Sequence, residues 1–185
     1  MLKLWKSTLK STAVVLLMLL VTGIAMAIPQ LHVAARTGNL AEVKRLIASG
    51  VDLDSMDQKY GYTALGFAVV SDNLELAKLL LEGGAMVDAS DIKMLTPLQL
   101  AAINGKIEMA KLFIQKGAIV NLITKGKRTA LHLAIIKNQV QMVQLLLENG
   151  ADIKAADTKG HIPLDYAKAK KFQEIIELLE KHANK

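Results

Sequence analysis

The 185-residue chain contains no cysteine. Disulfides, thiolate nucleophiles, cysteine-ligated zinc and lipid attachment through cysteine are therefore excluded. Aromatic residues make up only 4% and there are three prolines, so a core has to be assembled from Leu, Ile, Val, Ala and Met. Acidic residues are missing altogether from residues 1–27, which carry Lys3, Lys6 and Lys10. That asymmetry inflates the formal net charge of +6; beyond residue 27 there are 20 basic and 17 acidic residues. A balance of +3 is ordinary and gives no argument for nucleic acid.

Long uncharged apolar runs are equally scarce. The longest extends from Ala13 to Ile28, 16 residues, short of the roughly 20 that span a bilayer comfortably. It follows a basic start, and its far end holds Gly23 and the small-residue pair in Ala25-Met26-Ala27. These are the parts of a secretory signal peptide, with cleavage expected after Ala27. A retained membrane anchor and a buried N-terminal helix are the alternatives. The short basic region and the Ala-Met-Ala cut suit a bacterial export signal and hence the periplasm; in a eukaryotic host the same segment directs secretion.

What the chain does have is a period. Thr63-Ala-Leu returns as Thr96-Pro-Leu, Thr129-Ala-Leu and Ile162-Pro-Leu, 33 residues apart each time. Leu79-Leu-Leu returns as Leu112-Phe-Ile and Leu145-Leu-Leu, and Gly84-Ala as Gly117-Ala and Gly150-Ala. A period of this length means stacked units, because one such unit cannot bury its apolar face alone. Residues 28–185 divide into about five: 28–57, 58–91, 92–124, 125–157 and 158–185. The first spacing is 34, the additional residue falling in the connector before Thr63, where insertions are tolerated.

Each unit reads as two short antiparallel helices. Thr63, Thr96 and Thr129 are suited to N-cap the first helix, and Pro97 and Pro163 to occupy its first position. Gly38, Asp72, Gly105 and Asn138 fall at the turn between helices, where a left-handed backbone is needed. Lys171 stands at that turn in the last unit and predicts a remodelled connection. Leu76, Leu79 and Leu80, like Met142, Leu145 and Leu146, form a helical stripe, stopped by Gly50, Gly84, Gly117 and Gly150. Ile162 cannot cap as threonine does, a loss of about 0.5–2 kcal/mol that marks a divergent terminal unit.

Thr96-Pro-Leu-Gln-Leu-Ala-Ala, Thr129-Ala-Leu-His-Leu-Ala and Leu145-Leu-Leu-Glu-Asn-Gly-Ala-Asp resemble the opening and closing motifs of the ankyrin repeat, and the resemblance covers Leu31–His182. It implies an all-α solenoid whose connectors project as short β-hairpin fingers, and a role in binding proteins through the fingers and first helices. Ala64 and Ala130 depart from the motif's proline, and Gly66, Gln99 and Asp165 from its histidine. The plan is similar to that of exported bacterial ankyrin-repeat proteins, which implies support or inhibition of an exported enzyme or toxin. An effector secreted to act on host proteins is the alternative.

Nothing in the sequence has the pattern of a catalytic or cofactor site. His32 and His132 occupy the repeat's own motif position, and His161 and His182 lack a metal-helix spacing. Gly126-Lys127-Arg128-Thr129 is not a phosphate loop, since Gly-x-x-x-x-Gly-Lys-[Ser/Thr] is absent. Gly-x-Ser-x-Gly is absent too. The chain is therefore expected to be a monomeric, non-enzymatic module without cofactor or metal, with a protein as partner and with no membrane anchor after cleavage.

The connectors supply the candidate contact residues. Tyr60 and Tyr62 lie in the first, Met94 and Leu95 in the second, and Lys125, Lys127 and Arg128 in the third, which has no acid. Tyr and Met are enriched in interface cores, so the first four form the expected hot spot and the last three a basic edge. Residues 28–91 carry 5 basic and 9 acidic side chains and residues 92–185 carry 15 and 8. This gradient is expected to orient a partner of opposite polarity.

Overall fold

The computed structural model describes residues 30–184. The proposed export signal, residues 1–27, lies outside them. Ten helices occur among the described residues, in five antiparallel pairs: α1 over residues 30–37, α2 Leu40–Ala48, α3 Ala64–Val70, α4 Leu74–Glu82, α5 Pro97–Asn104, α6 Ile107–Gln115, α7 Ala130–Ile136, α8 Val140–Glu148, α9 Pro163–Lys170 and α10 Gln173–Ala183. The first helices of successive pairs pack in one row and the second helices in another, and the first-helix row is the more closely packed.

Both turns of each unit end a helix in the same way. Ala85 N–H donates to Leu80 O at 3.0 Å while Gly84 N–H donates to Leu81 O at 3.2 Å, the double bond of a Schellman motif with a left-handed residue past the helix. The turn between helices repeats it, with Asn73 to Ala68 and Asp72 to Val69. Lys171 obeys the same geometry: its φ is 58°, and Phe172 and Lys171 donate to Ala167 and Lys168. The terminal turn is therefore not remodelled. The backbone bonding scheme outweighs the preference of the residue that has to adopt it, and a non-glycine left-handed residue carries about 1–2 kcal/mol of strain.

The starts of the first helices in units two to five are held by side-chain caps. Thr63 Oγ1 accepts from Gly66 N–H at 3.1 Å. Thr96 and Gln99 form a complete capping box, Oγ1 accepting from Gln99 N–H at 3.3 Å and Oε1 from Thr96 N–H at 3.0 Å. His132 Nδ1 accepts from Thr129 N–H at 3.2 Å and Asp165 Oδ2 from Ile162 N–H at 2.9 Å. Gln99 and Asp165 thus replace the motif histidine without losing this arm of the cap. Ile162 contributes no oxygen, and its half of the box is missing.

The core runs through all five pairs and consists of Leu, Ile, Val, Ala and Met with Phe67 and Phe113. Leu76, Met109, Met142 and Ile175 occupy one repeated position and are completely buried. At that position the first pair has Glu42, and one turn on has Arg45; the two form a bidentate pair at 2.7 and 2.8 Å on the open end of the stack. A charged pair where the other units carry aliphatics gives the array a water-compatible end.

Connectors are hairpin-shaped turns, each closed by two backbone bonds at 2.8–3.0 Å: Asp57 N–H to Tyr62 O, Asp91 to Leu95, Thr124 to Arg128 and Asp157 to His161, with Gly61, Met94, Lys127 and Gly160 donating back to the O of the same four base residues. No strand is formed among the described residues. Ile92 N–H donates to Gly61 O and Thr158 N–H to Gly126 O, joining fingers one to two and three to four.

Candidate protein-binding face

Each finger is built around one side chain at its base. Asp57 Oδ2 accepts from the N–H groups of Lys59 and Tyr60, and Asp91 Oδ1 from those of Lys93 and Leu95. Thr124 Oγ1 accepts from Gly126 and Arg128, and Asp157 Oδ1 from Lys159 and His161. Asp91 and Asp157 are buried as a result. Asp54 and Asp88 are likewise engaged, each accepting a backbone N–H of the following connector, from Met86 and Ile119.

This internal use of carboxylates changes the electrostatics expected from composition. The acidic half of the gradient is spent largely inside the fingers, whereas Lys59, Lys93, Lys125, Lys127 and Lys159 are exposed and have no ion-pair partner among the described residues. Each of the four fingers thus presents an exposed lysine, while the carboxylates keep their charge at the finger bases. Lys127 and Met94 occupy the left-handed position of their turns, φ 54° and 60°, where fingers one and four have Gly61 and Gly160.

The seven candidate residues fall into distinct settings. Tyr60 is 45% exposed and Tyr62 half-buried; both rings meet Phe67 edge-on, with centroids 6.0 and 5.6 Å away. Gly66 makes room for this, since a Cβ there would stand 3.3–3.4 Å from the Tyr62 side chain. Lys59 Nζ lies 4.8 Å from the Tyr60 ring centroid, and this ammonium holds the phenol pKa below its usual value. Met94 is 53% exposed on finger two. Leu95, by contrast, is half-buried and packs against the core. Lys125 and Lys127 are open.

Arg128 is not a free cation. Its Nε donates to Tyr166 Oη at 3.2 Å, its guanidinium lies over the Tyr166 ring, and Tyr166 Oη–H donates to Asp157 Oδ2 at 2.5 Å. The Tyr166 hydroxyl and the backbone donors hold Asp157 far below the usual carboxylate range. Burial lowers the His132 pKa, consistent with a neutral ring whose Nδ1 accepts from Thr129 while Nε2–H donates to His161 O at 3.3 Å. This is a bonded network between finger three and the last unit.

A shallow cleft of about 250 Å³ opens beside the tyrosines, lined by Arg36, Tyr60, Tyr62, Phe67, Val70 and Ser71. Phe67 was not among the candidates from sequence. Its position is taken by Leu100 and Leu133 in the next two units, and that substitution was the available signal. Ile92, 69% exposed beside finger one, was missed as well. Among the described residues no group of three His, Asp or Glu is placed to hold a metal, and no helix is long and apolar enough to cross a membrane.

The family model described as ankyrin repeats (3 copies) matches residues 28–91, 87–157 and 120–185. The chain belongs to the ankyrin-repeat family. Among curated proteins it is 45% identical over 69 residues to a nuclear factor NF-kappa-B subunit of Gallus gallus, 37% of this chain and 7% of that protein. It is 38% identical over 71 residues to the potassium channel AKT3 of Oryza sativa (38% and 8%), and 49% identical over 61 residues to the palmitoyltransferase AKR1 of Yarrowia lipolytica (32% and 8%). Less than a tenth of each relative's length is shared, about two repeat units. The ankyrin repeats make this chain a protein–protein interaction module.

Proposed function

We propose that this protein is an exported, non-enzymatic binding module that works as a monomer in the periplasm and holds one protein partner across its fingers and first helices. By doing so it supports or inhibits another exported protein, an enzyme or a toxin. One observation carries the choice of face. All the exposed large apolar side chains among the described residues, Val33, Val70, Met56, Tyr60, Met86, Ile92, Met94, Ile119 and Ile123, lie on first helices or connectors, and none on a second helix. Exposed apolar groups kept off the second helices favour the first helices and connectors as the contact surface. Lysines between them supply steering and specificity rather than bulk affinity.

The export half of this reading rests on the basic, apolar and small-residue pattern of residues 1–27 and on its contrast with the helical array that follows. N-terminal sequencing of the protein from a periplasmic fraction is expected to begin at Ile28; an intact Met1 on cytoplasmic protein contradicts it. Recovery from the culture medium favours the alternative, an effector acting on host proteins. For the face, a bait carrying Tyr60→Ala and Met94→Ala is expected to lose a partner that the wild-type bait retains.

A further inference from the structure

We propose that the Arg36–Tyr60–Phe67 cleft takes one large apolar side chain from an acidic linear segment of the protein partner, the flanking carboxylates meeting Arg36 and Lys59. This rests on the reading of the finger face as a protein-binding surface and specifies what it recognises. Three features converge. The floor and walls are apolar and rigid: Phe67 is buried and fixed by edge-on contacts to both tyrosines, and Val70 is 51% exposed at the mouth. Space of about 250 Å³ accommodates a phenylalanine- or leucine-sized group. The rim is cationic: Arg36 lines the cleft and Lys59 lies over Tyr60, and neither has an ion-pair partner among the described residues, while Asp57 is turned inward to hold its finger turn.

A second cleft gives an internal comparison. Tyr166 stands at the repeat position of Phe67, His161 at that of Tyr62 and Ala169 at that of Val70, and these line a cleft in the last unit together with Asp165. There a carboxylate sits at the wall where the first cleft has Gly66, and Asp157 lies beneath, tied to Tyr166. Arg128 also lies over the Tyr166 ring, so cation and carboxylates stand together there, whereas the lining of the first cleft carries Arg36 and no carboxylate. The two clefts therefore differ in local charge although both have an aromatic floor.

The test uses amide chemical shifts of the isotope-labelled protein titrated with three synthetic pentapeptides: Asp-Glu-Phe-Glu-Asp, Asp-Glu-Gly-Glu-Asp and Lys-Arg-Phe-Arg-Lys. The expected result is saturable shifts at Arg36, Tyr60, Phe67 and Val70 with the first peptide. Affinity is expected to fall about tenfold or more on loss of the phenylalanine, and similarly in Arg36→Glu and Val70→Asp proteins. Both substitutions are at surface positions, and an unchanged circular dichroism spectrum keeps the comparison valid. Shifts centred on His161 and Tyr166, equal binding of the basic peptide, or no shift at all overturns the proposal. So does binding to phosphatidylglycerol vesicles that Val70→Asp leaves unchanged while the acidic peptide fails, since the finger lysines then serve a lipid surface. If the peptide fails but a bait with intact Tyr60 and Met94 still retains its protein partner, only this cleft is refuted and the protein-binding reading stands.

Discussion

Lys171 gives the sharpest quantitative check on the way these units are held. It adopts φ 58° at the turn between α9 and α10, the position of Gly38, Asp72, Gly105 and Asn138 in the other units, all of which are left-handed. A residue with a Cβ carries about 1–2 kcal/mol of strain there. Glycine removes that strain but returns about 0.5–1 kcal/mol through the greater freedom of its unfolded chain. Lys171 is exposed and has no ion-pair partner among the described residues, so little packing is lost with it. Lys171→Gly is therefore expected to stabilise by about 0.5–1 kcal/mol. With a urea m-value of about 2 kcal/mol/M, the unfolding midpoint rises by roughly 0.3–0.5 M. Lys171→Ala removes the same charge and keeps the strain, so its midpoint should not move upward. The assay is equilibrium urea unfolding followed by circular dichroism, with the m-value held as a control on cooperativity. A lower midpoint for the glycine variant, or equal gains for glycine and alanine, refutes the reasoning. The first outcome means an unrecognised role for the side chain, and the second a charge effect.

Other perturbations probe separate links. Gly61→Ala should destabilise more than Gly160→Ala in the same urea assay. Both are left-handed, but a Cβ at 61 would lie 2.2 Å from Ile92 whereas nothing approaches within 4 Å at 160. Gln99→Leu leaves Thr96 N–H and Leu122 O without the partners Gln99 supplies, and should cost about 1–3 kcal/mol of unfolding free energy; Gln99→His should cost less, as His132 fills the same role. Because the folded-state pKa of Asp157 is depressed, its stabilisation is complete above the ordinary carboxylate pKa of about 4 and is lost as pH falls below it. Asp157→Asn should flatten the fall in thermal midpoint between about pH 4 and pH 2, and an unaltered slope counts against the network. Glu42→Leu makes the open end of the stack aliphatic, and sedimentation should show self-association absent from the wild type.

The repeat period in the sequence was sufficient for the helix pairs, because caps, left-handed turns and core stripes recur at fixed spacing and each has a local physical cause. Side-chain direction in the fingers was not legible that way. Asp57, Asp91 and Asp157 counted as surface charge by composition, yet they bond the backbone of their own turns and hold the finger shape. Arg128 read as part of a basic edge for the same reason, and its partner Tyr166 is 38 residues away. Leu95 and Tyr62 are both half-buried and pack on the core, a share of each side chain's surface that composition could not apportion. Phe67 and Glu42 were readable only by comparing each unit with the next at one position. Phe67 stands out against Leu100 and Leu133 of the next two units as an aromatic floor, and Glu42 against a buried apolar column as a charged end.

The direct test of the central claim is quantitative co-purification with three baits: wild type, a finger-face variant carrying Tyr60→Ala and Met94→Ala, and a second-helix variant carrying Lys78→Ser and Gln144→Ser. All three must first show the same unfolding midpoint. A protein recovered equally by wild type and the second-helix variant, and lost from the finger-face variant, is the result expected if the fingers and first helices are the binding surface. Equal recovery by all three, or loss from the second-helix variant alone, contradicts it.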